Sequence, residues 1–115
     1  MNELIDLITD LLSIPYVEED GPVFDGSFVL VPYMANGLSG NGIVQTTTTM
    51  LYAELFYTEK ATCIDSAMKL WKEIGKTEGM AAEQPEYIHE KDAHMWRGRI
   101  PIEIINKEEE ENASE

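Results

Sequence analysis

The side chains best suited to chemistry near neutral pH are few: His89, His94 and the single cysteine, Cys63. Nucleophilic catalysis needs a nucleophile, a base within reach of it and a third group that orients the base. Cys63 sits in no nucleophile-elbow or Cys-His pattern, and its place on a helix marks it as a packing residue. His89, Glu90, Asp92 and His94 put four potential metal ligands within six residues. The H-x4-H spacing matches no zinc signature, and the residues between are those of an ordinary polar turn. The glycines of Ala35–Gly42 (ANGLSGNG) are not followed by GK[ST] and lead into a strand, so they form no phosphate-binding loop. The sequence predicts a protein that is not an enzyme and carries no metal or cofactor.

Charge is the outlier. The chain of 115 residues has 22 acids against 8 bases, a formal net charge of −14. From Met1 to Glu59 there are nine acids and no Lys or Arg. Binding to nucleic acid through phosphates needs clustered Lys and Arg, which this chain lacks. Such a surface repels nucleic acid or imitates it, or simply keeps the protein dispersed. Apolar content of 43 % is ordinary for a folded domain. A lone cysteine excludes an internal disulfide framework and fits a reducing compartment. There is no basic n-region and no apolar run near the ~20 residues a membrane helix needs, so neither secretion by signal peptide nor membrane spanning is expected.

The elements that must position these residues centre on Thr46–Tyr57 (TTTTMLYAELFY), which has no Gly or Pro and reads as a central β-strand. Leu51, Ala53, Leu55 and Tyr57 share one face, and Met50, Tyr52, Glu54 and Phe56 the other, less apolar one. Glu3–Leu12 carries an amphipathic stripe with Asn2 as N-cap, and Pro15 stops the helix. Tyr16–Asp25, acidic and carrying Gly21-Pro22, is a loop or an irregular crossing. Ser27–Met34 (SFVLVPYM) is a strand in which Pro32 marks an edge, a bulge or the end. Ala35–Gly42, with three glycines and two Asn-Gly pairs, predicts a long flexible hairpin loop.

Ala61–Ile74 is a second helix, with Ile64, Ala67, Met68 and Trp71 at helical spacing, Leu70 and Ile74 widening the stripe, and Gly75 as a left-handed C′ residue. Thr77–Gln84 is a connection. Glu86–Glu90 and His94–Ile105 form a terminal hairpin in which Ile100, Ile102 and Ile104 face inward. Residues 1–106 are thus a single α+β domain, an antiparallel sheet of about four strands with two helices packed on one face. Residues 107–115 predict an acidic, disordered tail. Five acids and one base in that tail leave −10 of the −14 to the body.

Helix one, the strand ending VPYM, the glycine-rich hairpin, the long strand with its helix and a closing hairpin ending RGRIPIEII form a series. It resembles the small tail-completion proteins of long-tailed bacteriophages, the tail-terminator and the minor-capsid or neck proteins. The resemblance covers Asn2 to Ile105 and rests on size and element order. It implies a virion structural protein, assembled in the bacterial host cytoplasm, that forms a homo-oligomeric ring, a hexamer by preference. Its partners would be tail-tube and head-connector proteins, with DNA passing through unbound. On that basis Glu18, Glu19, Asp20 and Asp25 would face the channel or rim, where acids repel phosphates. The loop holding Leu38 would reach a neighbouring subunit or the tube. Ring subunits meet head to tail, and Tyr33, Met34, Met95, Trp96 and Arg97 are the types favoured at interface centres. Arg97 and Arg99, the only arginines, would pair with acids of an adjacent subunit. The main alternative is a small acidic inhibitor that mimics DNA and blocks a nucleic-acid enzyme.

Overall fold

A computed structural model describes residues 2–40 and 44–109, with side chains described for 2–35 and 47–105. Helix α1 spans Asn2–Leu12, strand β1 Ser27–Gly40, β2 Val44–Tyr57, helix α2 Lys60–Gly75, β3 Met80–Ala82, β4 Glu86–Glu90 and β5 Met95–Glu109. A single 3-10 turn, Lys91–Ala93, links the last two strands. Every strand pairing is antiparallel, in the order β1-β2-β5, with β3 and β4 end to end along the remaining edge of β5. The fold is α+β, and the sheet of five strands is four wide because β3 and β4 share one lane.

The richer face of β2 is the buried one. Leu51, Ala53 and Leu55 are fully buried together with Phe28 and Leu30 from β1 and Ile100 and Ile102 from β5. Leu4 and Ile8 of α1 and Cys63, Ala67, Leu70 and Ile74 of α2 close over them. Of the expected stripe, Ala67, Leu70 and Ile74 are fully buried, whereas Ile64, Met68 and Trp71 are half-buried and Cys63 completes the inner row. Cys63 and Ala67 come close to the sheet because Gly98 of β5 has no side chain: a Cβ there would stand 3.1 Å from Cys63 Sγ and 3.4 Å from Ala67 Cβ. The helix settles where the strand leaves room. Trp71 stays half-buried, and its indole N–H donates to the Ala82 carbonyl at 3.2 Å, fastening β3 to the helix.

Other differences follow from hydrogen bonding that composition does not reveal. Ala35–Gly40 is not a loop but the second half of β1, paired with Val44–Thr49. The threonine run of β2 satisfies backbone groups on both its edges, since Ile105–Glu109 pairs along the other. A ladder on one side therefore overrides the glycines. Only residues 41 and 42 of the expected loop lie outside the described residues. For the same reason β5 takes in Lys107, Glu108 and Glu109, the start of the expected tail; residues 110–115 lie outside the described residues.

Asn2 is already within α1. Gly75 belongs to α2 and does not take the left-handed conformation; Lys76 and Thr77 amides bond the Glu73 and Ile74 carbonyls instead. The left-handed turn comes four residues later at Gly79, φ +85°, whose carbonyl accepts from Ile105 N–H. That turn aims Met80–Ala82 along β5 and creates the strand missed in Thr77–Gln84.

The result is elongated. The radius of gyration is 16.1 Å and the extents 54 × 26 × 21 Å, against about 13 Å for a compact domain of this length. The ends of β1, β2 and β5 run past the helices as a three-stranded arm.

Candidate assembly interface

The helices cover one face of the sheet, and among the described residues the other is covered only at one end. There the acidic segment Tyr16–Asp25 crosses it. Val17 N–H donates to the Phe28 carbonyl at 2.8 Å, and Phe28 N–H to the Pro15 carbonyl at 3.1 Å. This places Val17 and Val23 over a small second core of Val29, Phe56 and Met95. Glu18, Glu19 and Asp20 are exposed at the turn of this crossing. Asp25 acts locally. Its Oδ1 accepts from Thr58 N–H at 2.9 Å and ties the crossing to the end of β2.

Next along the face comes a charged pair of rungs. Cross-strand register sets Glu54 opposite Arg99 and Phe56 opposite Arg97. The Glu54 carboxylate, on a residue only 7 % exposed, accepts from Arg97 Nη1 at 3.1 Å and Arg99 Nε at 3.2 Å. Arg97 also pairs with Glu90 of β4. The Arg99 guanidinium lies over the Tyr52 ring at 4.9 Å, and Tyr52 stacks on Tyr33 with ring centroids 4.6 Å apart. The arginines are therefore paired within the chain, which corrects the expectation that acids of a neighbour hold them. Replacing both with Glu would crowd carboxylates against Glu54 and test folding, not assembly.

Beyond the rungs no described residue covers the face. The register of β1 slips between Pro32 and Met34, a bulge that inserts Tyr33 on this side. Tyr33 is 45 %, Met34 47 % and Ile105 43 % exposed. Tyr33, Met50, Pro101 and Ala81 line a shallow groove flanked by Glu83 and Glu103. Partial loss of water, then the neighbouring Tyr52 and the charges of Glu83 and Glu103, raises the Tyr33 hydroxyl above its ordinary pKa.

The remaining expected residues lie elsewhere. Met95 is buried in the second core. Trp96 turns to the helix side, half-buried, with the His89 ring stacked on it at 4.5 Å and Lys60 Nζ 4.8 Å from its centroid. Leu38 pairs with Thr46 in the arm through its backbone; its side chain lies outside the described ones. Of the expected contact residues with described side chains, Tyr33 and Met34 remain exposed and Met95 does not.

The residues with reactive potential do not converge. Cys63, on the inner side of α2, is fully buried, and burial pushes its thiol up to about 11, far from a thiolate at neutral pH. Glu90 is turned to Arg97, and His94 is an exposed left-handed residue closing the 3-10 turn. Among the described residues no three His, Cys, Asp or Glu side chains are grouped as metal ligands.

Sequence reasoning missed Glu54, Tyr52, Met50, Glu83 and Glu103. Glu54 had a signal: it is the only charge within Thr46–Tyr57. The others depend on strand register, which the sequence left open. No protein-family model matches the chain, and no curated protein matches it.

Proposed function

We propose that this chain is a structural component of a bacteriophage virion, a tail-terminator or head–tail neck protein. It forms a ring, six subunits by preference, that joins tail-tube and head-connector proteins and lets DNA pass without binding it. The observation that carries this reading is the half-open sheet face, with Tyr33, Met34 and Ile105 exposed at the root of a projecting three-stranded arm. Aromatic and methionine side chains in the open suit a surface that another protein covers. The acid excess suits a passage for DNA, because carboxylates repel phosphates and leave nothing for them to stick to.

A DNA-mimicking inhibitor draws less support. Glu54 and Glu90 are paired with arginines and Asp25 with a backbone amide, so these acids are not arrayed to imitate phosphates. Electron microscopy of the concentrated protein tests the proposal. Annular particles with a central hole are expected; dispersed single subunits that compete with DNA for a nucleic-acid enzyme would refute it.

A further inference from the structure

The open groove has a counterpart on the same chain. On the outward side of α2 and at its C-cap, Lys69, Lys72 and Lys76 fall at i, i+3 and i+7, a single exposed stripe. Among the described residues none of the three has a carboxylate within ion-pair distance, whereas both arginines do. Lys72 and Lys76 flank a shallow apolar depression formed by Trp71, Gly75 and Ala82. Nothing lies within 4 Å of where a Gly75 Cβ would be, so the helix surface is accessible there. This is an apolar centre with a basic rim. The groove on the opposite face is an apolar centre with an acidic rim, Glu83 and Glu103.

The two surfaces lie on opposite sides of β3, at the same edge of the sheet. Ala82 contributes to both, through the backbone that separates them. A step that seats the helix side of one subunit on the open sheet of the next therefore uses each surface once and leaves the next pair free. That is a heterologous contact, and it closes into a ring when the rotation per step divides a full turn. In a chain of net charge −14, a patch of three lysines is the kind of feature that fixes which faces meet. Like faces repel and unlike faces attract.

We propose that the Tyr33–Met50–Pro101 groove, rimmed by Glu83 and Glu103, docks the Lys69/Lys72/Lys76 face of α2 from a second copy of this chain. This specifies the subunit contact of the ring and rests on the ring-forming function proposed above. Tyr33 and Met34 then cover the neighbour's Trp71 and Gly75, and the lysines meet the two glutamates at the rim. Because those pairs are at the rim, they set register and salt sensitivity more than total affinity.

Charge reversal tests the contact. One variant carries K69E, K72E and K76E; the other carries E83K and E103K. Each alone should fall from the wild-type mass to the 13.0 kDa of a monomer. An equimolar mixture should regain the wild-type mass with both chains in equal amounts, because each repaired contact joins one variant to the other. All five substitutions in one chain should also regain it. Circular dichroism and melting of each variant separate loss of assembly from loss of fold. The milder pair E83Q and E103Q should keep the ring while raising its dissociation concentration about tenfold. Reversal variants that retain the wild-type mass would overturn the docking surfaces and leave the ring intact. A folded mixture that stays monomeric would overturn the pairing. A wild-type monomer would overturn the ring and the contact together.

Discussion

Glu54→Gln keeps the size of the side chain and removes its charge, which isolates what the carboxylate does between Arg97 and Arg99. Its carboxylate oxygen accepts from both guanidiniums, at 3.1 and 3.2 Å, on a side chain 9 % exposed. Removing one partner of a buried pair costs about 3–5 kcal/mol, because the remaining charge is left in a poor solvent. Here the arginine side chains are 23 % and 29 % exposed, and Arg97 keeps Glu90. Water and that second carboxylate reduce the expected loss to about 2–3 kcal/mol. For a domain of this size each kcal/mol corresponds to roughly 4 °C, so the midpoint should drop by about 10 °C. Urea unfolding should show a lower midpoint with an unchanged slope, the sign of altered stability and not of altered compactness. Glu54→Asp should lose a similar amount, since the shorter side chain does not span both rungs. A loss below about 0.5 kcal/mol for both would refute the assignment, placing Glu54 among surface charges of little consequence.

Gly98→Ala should destabilise by about 1–2 kcal/mol, because the new methyl group meets Cys63 Sγ in a packed layer. Cys63→Ala in the same chain should recover part of that loss, a coupling that a double-mutant cycle in urea would read directly. The Cys63 thiol should react slowly with a thiol reagent in the native protein at pH 8 and fast once urea unfolds it. Its folded pKa is raised from 9.0 to about 11 by burial. Because the unfolded thiol ionises first, stability is undiminished below pH 9 and falls as pH rises from about 9 to about 11. Melting followed from pH 8 to pH 11 should show the midpoint falling across that window.

Periodicity made the layers legible. The alternation in Thr46–Tyr57 and in Ile100–Ile104 identified the buried face, and Pro32 marked the edge strand where the bulge occurs. The hydrophobic spacing of the first helix left little freedom in which side it buries. What composition could not convey was partner-dependent. ANGLSGNG is a loop by propensity, yet Ala35–Gly40 is a strand by pairing, because the threonines opposite it supply the ladder. The close seat of Cys63 and Ala67 on the sheet follows from a missing side chain at Gly98, some thirty residues away in sequence. The candidate interface shows the same divide. Tyr33 and Met34 were legible as types that proteins use to bind one another. Glu83, Glu103 and the lysines of α2 acquire meaning only after the register places them on opposite sides of β3.

Whether the chain closes into a ring is decided by native mass from light scattering, over a series of protein and salt concentrations. A particle several times the 13.0 kDa subunit mass, six-fold by preference and dissociating as salt rises, is the expected result. A monomer at every concentration, indifferent to salt, would contradict it.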